Sequence, residues 1–362
     1  MSDEETLRIG LYTVGPLTND FSGIYSYSDV LFPLLEEFNK RKHEVIWLGE
    51  EVENSTNNVF VNSLVEKKLI PKNIFDAHSL ISKRNISADK FDYSKLDAML
   101  VTPRPKFNPI ENFTMNKIIE KCKENGVRVF LWETELWGDQ VNKELRKDVI
   151  LLRPYLKKST FFKKQIFFPY FIFKYYGELY NNKLFDMLYV GNMFARQERF
   201  AEMLSLSAFA FEDSPKIDVF GDWAKNKEKR KFLEDNFNYR LKHINFRGQC
   251  NHCYSIPLLN SADATLHILP QNASEAGLFT SRVFQSMIAG TLCYVDTDIF
   301  GAKRFFPKEL LVRDGFEITD RWKENLDNRV QLLSETMHAF SEKRFNLINV
   351  ANEFEEAAEK YG

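Results

Sequence analysis

Cysteine, net charge and long apolar runs are all scarce in this sequence. Four cysteines among 362 residues are too few for a disulfide framework, so we expect a reducing compartment. No apolar run approaches the roughly 18 residues that a membrane span requires. The most apolar stretch, Phe161–Tyr176, is interrupted by Lys163, Lys164, Pro169 and Lys174, and we predict no membrane partner. The net charge of -2 gives the chain no overall attraction to nucleic acid, so such binding would need a locally basic surface.

Targeting and metal-binding motifs are equally sparse. The opening residues, MSDEETLRIG, are acidic and polar, which is unlike a signal peptide. Cys250-Asn-His-Cys253 resembles half of a zinc site, but no second pair of ligands follows it, so we interpret it as a loop with two free thiols. We therefore predict no metal ligands, although the sequence leaves a requirement for a divalent ion open.

Segments typical of strands alternate with segments typical of helices, as in α/β proteins. The first series of predicted strands is Leu7–Val14, His43–Leu48, Ala98–Thr102 and Val127–Trp132, with helices at Asp29–Lys40 and Phe113–Asn125. The second series has strands at Phe185–Tyr189, Lys216–Phe220, Ile244–Arg247, Ala264–Ile268 and Leu292–Val295, with helices at Arg196–Ser205, Ser255–Ser261 and Thr280–Ala289 and in 325–360. Between the two series, Asp148–Asn182 is basic, aromatic and irregular, which indicates a domain boundary.

The length and the two series together predict two Rossmann-like domains that face a central cleft, where open sheets bind their ligands. We assign residues 1–165 to an N-terminal, acceptor-binding domain and residues 166–340 to a C-terminal, nucleotide-binding domain. Residues 341–362 are expected to form a helix that packs back on the first domain. We expect a monomer.

Glycines and arginines follow the strands of the second series. Gly191, Gly221 and Gly248 each come within two residues of the end of a predicted strand, where a residue without a side chain lets the backbone approach a ligand. Arg196 and Arg199 lie about one turn apart at the start of the next helix. This pattern predicts phosphate binding; the alternative is a solvated basic face.

Ser274–Asp296 reads as a loop, a short helix that holds Arg282 and Gln285, then Gly290 and a buried strand. A helix start attracts phosphate through its free N–H groups, and an arginine adds a forked pair of donors. We therefore predict that Arg282 joins the other arginines around a diphosphate. An ordinary helix–strand unit would have the same pattern.

The ordered series LYVGN…RQER, VFGD, FRGQ, SADATLHIL and FTSRVFQSMIAGTLCYVD resembles the nucleotide-binding half of the T-even phage DNA β-glucosyltransferases. The resemblance spans residues 185–298 and continues more weakly through the first domain. Enzymes of that family have two Rossmann-like domains in the GT-B architecture. They transfer glucose from UDP-glucose to 5-hydroxymethylcytosine in duplex DNA, with inversion at the anomeric carbon.

The resemblance implies a donor-binding set in the second series. Its members are Gly191, Arg196, Arg199, Gly221, Gly248, Gln249, Arg282 and Gln285. The glycine at 191 and the three arginines are implied to hold the diphosphate, and the loop with Gln249 to cover the uracil. Gln285 stands where the family has a glutamate that resembles a ribose ligand, so a ribose contact here lacks charge assistance.

The family also has a catalytic aspartate just after the strand that matches Val127–Trp132. This chain has Glu133-Thr134-Glu135 there, and the aspartate aligns with Thr134. A carboxylate in this place can take the proton from an acceptor hydroxyl as the hydroxyl attacks the anomeric carbon. We predict Glu133 as the base, with Glu135 as the alternative, although surface carboxylates in a loop would look the same.

Two further segments are candidates for contacting the acceptor. Arg153–Lys174 interleaves lysines with aromatic residues, which suits phosphates and an unstacked base, although a domain-crossing segment with solvated lysines would look similar. The loop Thr18–Ser28 could contact the sugar or the acceptor.

The resemblance therefore predicts an inverting glycosyltransferase that moves glucose or arabinose from UDP-glucose or UDP-arabinose to 5-hydroxymethylcytosine in double-stranded phage DNA. It would act in the cytoplasm of the infected bacterial host. Two alternatives remain open. One is a transferase of the same fold that acts on a polysaccharide or glycolipid. The other is a non-catalytic nucleotide- or DNA-binding relative.

Overall fold

The computed structural model describes residues 6–13, 28–48, 85–86, 88–102, 109–133, 141–172, 179, 182–193, 195–223, 227–250, 255–342 and 345–360. The chain divides into two compact units. Unit 1 comprises Met1–Tyr176 and Phe345–Gly362, and unit 2 comprises Gly177–Arg344. The first division thus falls later in the chain than the expected boundary after residue 165, and the second falls close to the expected boundary after residue 340.

Unit 1 contains a parallel sheet of seven strands in the order β3-β2-β1-β4-β5-β6-β7. The strands are β1 Arg8–Thr13, β2 Glu44–Leu48, β3 Asn85–Ile86, β4 Ala98–Thr102, β5 Arg128–Trp132, β6 Val149–Arg153 and β7 Gln165–Phe167. The central strand β4 is an unbroken run of buried residues, as expected for a parallel strand covered on both faces.

In the described residues of unit 1 there are three α-helices. They are α1 Ser28–Lys40, α2 Pro109–Glu124 and, far along the chain, α10 Leu347–Lys360. The buried face of α10 packs on this unit through Phe354, whose ring centroid lies 5.0 Å from that of Phe38 and 4.8 Å from that of Phe130. Glu355 of the same helix pairs with Arg41 at 2.6 Å and with His43 at 2.6 Å. Hydrophobic contact, the ion pair with Arg41 and the hydrogen bond with His43 therefore hold α10 to the rest of unit 1.

Unit 2 contains a second parallel sheet, of six strands in the order β10-β9-β8-β11-β12-β13. The strands are β8 Phe185–Val190, β9 Ile217–Phe220, β10 Ile244–Gly248, β11 Ala262–His267, β12 Leu292–Asp296 and β13 Leu311–Val312. The helices are α3 Gln197–Met203, α4 Lys227–Leu241, α5 Ser255–Asn260, α6 Gln271–Ala276, α7 Ser281–Ile288, α8 Gly315–Asp327 and α9 Arg329–Ser341. In each half of the sheet the chain moves outward from β8 or β11, which is the order of a Rossmann-like domain.

The expectation that Asp148–Asn182 is irregular was wrong for its first part. The segment contributes β6 and β7 to the sheet of unit 1, and all five residues of β6 are buried. Val149–Leu152 is a short apolar run typical of a buried parallel strand, but the lysines that follow it obscured the pattern.

Within the described residues, none of the helices combines the length and the apolar character needed to cross a membrane.

Candidate functional site

Three glycines meet at the carboxyl ends of β8, β9 and β10. The amide of Gly191 donates to the carbonyl of Phe220 at 2.9 Å, and the amide of Gly221 donates to the carbonyl of Gly248 at 2.8 Å. The indole of Trp223 donates to the carbonyl of Gly191 at 2.6 Å. The predicted strand-end glycines are thus brought together, at the edge of the sheet where parallel α/β domains bind ligands.

Gly221 has no room for a side chain. A Cβ at this position would lie 2.0 Å from the carbonyl oxygen of Gly191, which Trp223 already holds. We expect Gly221→Ala to lower the free energy of unfolding by about 2 to 3 kcal/mol, because the two loops would have to separate. Urea unfolding measures this loss.

Gly248→Ala is the matched control for that substitution. Gly248 has a φ of +88°, but a Cβ at this position would have no atom within 4 Å, so only the left-handed backbone disfavours alanine. The expected loss is about 1 kcal/mol. Equal losses at the two positions would show that the approach of Gly191 to Gly221 is not tight.

The charges of Arg196 and Arg282 both affect the pKa values of two buried groups, Tyr189 and His267. Burial raises the pKa of the Tyr189 hydroxyl, and the charges of both arginines oppose that shift. Burial also lowers the pKa of the His267 imidazole to about 3, and both arginines add to this shift. Arg196 precedes α3, which follows β8, and Arg282 lies in the first turn of α7, so both arginines belong to the carboxyl edge of this sheet. We refer to these two arginines as the basic cluster.

Arg282 and Gln285 contact each other on α7. A guanidinium nitrogen of Arg282 donates to the side-chain oxygen of Gln285 at 2.8 Å, and Gln285 is fully buried. The charge of Arg282 also reaches the thiols of Cys250, after β10, and Cys293, on β12, where it favours the thiolate against burial. Arg282 is thus central to the basic cluster, and Gln285 orients it.

Arg199, the third predicted phosphate ligand, is bound to carboxylates of its own unit. Its Nε and Nη2 atoms donate to the two oxygens of Asp296 at 2.6 Å and 2.7 Å, and its Nη1 atom donates to Glu202 at 3.2 Å. Asp296 is buried at the end of β12, and its carboxylate raises the pKa of the arginine. The pair joins the start of α3 to the end of β12.

We expect Arg199→Met to lower the free energy of unfolding by about 2 to 4 kcal/mol, because it leaves the carboxylate of Asp296 buried without its cation. Chemical denaturation of the whole chain measures the loss. Glu202→Gln is the control, since Glu202 is 56% exposed and should contribute less than about 1 kcal/mol. An unchanged stability together with weaker donor binding would instead assign Arg199 to the ligand.

The remaining predicted donor ligands are less completely defined. Gln249 is exposed after Gly248. The four residues after Cys250 lie outside the described part of the chain, as does the loop Thr18–Ser28 except for its last residue.

Sequence reasoning missed two residues of the site, His267 and Trp223. A histidine one residue before the end of the predicted strand Ala264–Ile268 was a usable signal for His267. Nothing in the sequence pointed to Trp223.

Of the two candidate bases, Glu133 belongs to the described residues and Glu135 does not. Glu133 follows β5, is 3% exposed and accepts a hydrogen bond from Arg153 at 3.0 Å. The guanidinium of Arg153 also lies 4.8 Å from the ring centroid of Tyr155. The carboxylate of Glu133 therefore has a structural partner in β6. Glu135 lies outside the described residues.

Over the part of the chain that the structure describes, no cluster of three or more His, Cys, Asp or Glu side chains is suited to holding a metal ion.

Neither protein-family models nor curated protein sequences match this chain. Solved structures match it over nearly its whole length. The DNA-modifying enzyme β-glucosyltransferase of T4 phage, solved with and without uridine diphosphoglucose, has a TM-score of 0.63 and 14% identity, with 98% of this chain and 100% of that chain covered. Another structure of the T4 phage enzyme contains UDP and Mn²⁺.

Two further structures show the same likeness. An α-glucosyltransferase in complex with UDP-glucose and DNA containing an abasic site has a TM-score of 0.61 and 10% identity, with 99% of this chain and 100% of that chain covered. A glycosyltransferase from Rickettsia africae has a TM-score of 0.60 and 9% identity, with 99% of each chain covered. At these identities the likeness shows a shared fold. The prediction of two Rossmann-like domains of the GT-B glycosyltransferase type is thereby confirmed.

Proposed function

We propose that this chain is an inverting glycosyltransferase that moves glucose or arabinose from a UDP-sugar to the hydroxymethyl group of 5-hydroxymethylcytosine in duplex phage DNA. The observation that carries the proposal is the basic cluster of unit 2, where Arg196 at the start of α3 and Arg282 in the first turn of α7 lie at the same edge of the sheet as the strand-end glycines. In a GT-B fold this cluster suits a nucleoside diphosphate. The structural neighbours that bind UDP-glucose support the same donor class.

The diphosphate is the group that leaves in such a reaction. Negative charge grows on it as the bond to the anomeric carbon breaks, so fixed positive groups stabilise the transition state more than the ground state. Arg282 is the principal candidate, because Gln285 holds its guanidinium in place. Inversion then requires one base, which takes the proton of the acceptor hydroxyl.

We assign the base to Glu135. This reverses the preference for Glu133 drawn from the sequence, because Arg153 binds the carboxylate of Glu133 in a buried ion pair. A carboxylate held in this way stabilises the protein and is poorly placed to exchange protons with an acceptor. The assignment of Glu135 follows from the position of the family's aspartate beside it.

DNA as the acceptor is supported by an exposed segment of unit 1. Residues 154–164 contain no carboxylate. They carry four exposed lysines, which are Lys157, Lys158, Lys163 and Lys164. Among them Phe161 is 60% exposed, and the guanidinium of Arg146 lies 5.3 Å from its ring centroid. Lysines suit backbone phosphates, and an exposed aromatic ring suits an unstacked base. Two of the structural neighbours are a DNA-modifying enzyme and a transferase bound to DNA.

The decisive experiment combines the purified protein, hydroxymethylated duplex DNA and a panel of UDP-sugars. Mass spectrometry of the digested nucleosides should show 5-hydroxymethylcytosine carrying one hexose or one pentose, with UDP released. The mass of the adduct identifies the sugar. Unmodified nucleosides with every donor would overturn the proposed acceptor.

Retention at physiological salt on duplex DNA, compared with anionic vesicles, separates the proposal from a transferase that acts on glycolipids. Binding of UDP-sugar without turnover on any acceptor would indicate the non-catalytic alternative. The proposal also places a monomeric enzyme in the cytoplasm of the infected host, and light scattering coupled to gel filtration tests the monomer.

A further inference from the structure

The first residues of α4 are strongly basic. Residues 227–231 have the sequence KEKRK, with four basic residues and one acidic residue. The start of a helix is the positive end of its dipole, so lysine and arginine are disfavoured there and acidic residues are favoured. Helix preference therefore does not explain this composition, and residues that break a local rule are expected at functional sites.

Lys229 is the member of this run that stabilises the fold. Its ammonium group pairs with the carboxylate of Asp222, the residue after Gly221. The same carboxylate accepts a hydrogen bond from the amide of Met193 at 2.8 Å. Lys229 therefore fastens the start of α4 to the loops that follow β8 and β9. These contacts place the first turns of α4 at the carboxyl edge of the sheet, where the strand-end glycines lie.

The other three cations, Lys227, Arg230 and Lys231, share a different face of α4. Residues three and four apart lie on one side of a helix, with Cβ atoms about 5 to 6 Å apart, so the three like charges repel one another. All three residues are exposed, and none has an ion-pair partner among the residues that the structure describes. We refer to these three residues as the basic face of α4.

The carboxylates of α4 leave this basic face without a counterion. Glu234 and Asp235 come after the basic run, farther from the carboxyl edge of the sheet. Within the described residues, neither they nor Glu228 form an ion pair with the three cations. A partner that binds beside the candidate donor site would therefore meet the positive end of α4.

We propose that the basic face of α4 binds backbone phosphates of the acceptor DNA, as a second DNA-binding surface in addition to residues 154–164. The inference rests on the proposed function. The acceptor base must reach the sugar of a donor whose diphosphate is bound at the carboxyl edge of this sheet, so the backbone next to that base has to pass the same edge. Phosphates are complementary to unpaired cations, and long flexible side chains can each reach a separate phosphate.

Contacts of this kind position the duplex and do not read its sequence. Each one releases counterions from the DNA, so the logarithm of the affinity falls with the logarithm of the salt concentration by about 0.9 for each phosphate bound. Because the three cations repel one another in the free protein, their replacement should weaken DNA binding without destabilising the fold.

The double variant Lys227→Gln/Lys231→Gln tests the proposal in the full chain. Two lost phosphate contacts should make the salt slope for duplex DNA shallower by about 1.8 and raise KM for hydroxymethylated DNA roughly 10- to 30-fold at about 0.15 M salt. The affinity for UDP-glucose and kcat at saturating DNA should stay unchanged. The melting temperature should stay the same or rise, whereas a structural role of these lysines would lower it.

The double variant Lys216→Gln/Lys242→Gln is the matched control. It removes the same charge from unit 2 through the same substitution. Lys216 directly precedes β9 and Lys242 lies shortly before β10, so both exposed lysines belong to the amino edge of the sheet. The salt slope and KM for DNA should stay close to the wild-type values, because a change in overall charge alone does not remove a phosphate contact.

The outcomes separate this inference from the proposed function. Equal salt slopes in the two double variants, with DNA binding by the wild type, would overturn the role of α4 and leave the proposed function intact. A shallower slope in Lys227→Gln/Lys231→Gln alone supports that role, even if no donor yields modified nucleosides and the proposed reaction is overturned.

Two further results would overturn both. One is a wild-type chain that fails to bind duplex DNA at low salt. The other is a chain that binds vesicles of phosphatidylcholine and phosphatidylserine in place of DNA and loses this binding in Lys227→Gln/Lys231→Gln, which would assign the basic face of α4 to a membrane.

Discussion

Arg282→Met is expected to lower kcat/KM for the UDP-sugar by roughly 100- to 1000-fold. The substitution removes a forked cation from the centre of the basic cluster, where its charge acts on Tyr189 and His267. Gln285 keeps this guanidinium oriented, so little reorganisation is needed when negative charge develops on the diphosphate. Most of the loss should therefore appear in kcat, with a smaller rise in KM, because the interaction is strongest in the transition state.

Two further substitutions define what Arg282 contributes. Arg282→Lys keeps the positive charge and removes the paired N–H donors of the guanidinium group, so it should retain part of the activity. Arg240→Met is the control in the same unit, since this partly exposed arginine lies over the ring of Tyr239 at 5.3 Å. It should leave kcat/KM unchanged. Steady-state UDP release at several donor concentrations gives all of these values, and an unaltered kcat in Arg282→Met would exclude this arginine from leaving-group stabilisation.

Glu135→Gln is expected to reduce kcat by roughly 1000-fold, because the amide cannot accept the proton of the acceptor hydroxyl. Donor binding should be unchanged, since the proposed diphosphate ligands all belong to the second series of strands. A quench-flow experiment with saturating DNA isolates the transfer step from product release.

Glu133→Gln is the matched comparison and should behave differently. Its carboxylate is the buried partner of Arg153, so its loss should lower the free energy of unfolding by about 3 kcal/mol. In Glu135→Gln the stability should stay near that of the wild type. The opposite pattern, with inactive but stable Glu133→Gln and active Glu135→Gln, would return the role of base to Glu133.

Most strands of both units were predictable from the sequence because buried parallel strands are short apolar runs, but the short β3, β7 and β13 were not predicted. The predicted Val127–Trp132 and Leu292–Val295 agree with β5 and β12 to within one residue. β6 was missed because the basic residues after it indicated a boundary. Glycines at strand ends also identified where the candidate site would lie, since parallel strands place their carboxyl ends at one edge.

Pairing between distant side chains could not be predicted in this way. Arg199 looked like a phosphate ligand, and only the folded chain shows that Asp296 binds it. The same holds for Glu133, whose pairing with Arg153 depends on β6 lying beside β5. Spacing along the sequence places a residue at an edge of a sheet, but it does not tell which of several charges there a side chain will contact.

The attachment of α10 to unit 1 has a consequence for synthesis on the ribosome. Phe354 fills the space between Phe38 and Phe130, yet the whole of unit 2 is translated before it. Unit 2 is one continuous segment, so it can fold as soon as it has left the ribosomal exit tunnel. The α/β core of unit 1 is translated earlier, but the apolar surface that Phe354 covers stays exposed until α10 has been made. Nascent chains halted before α10 should therefore bind chaperones through unit 1, although that unit was made first.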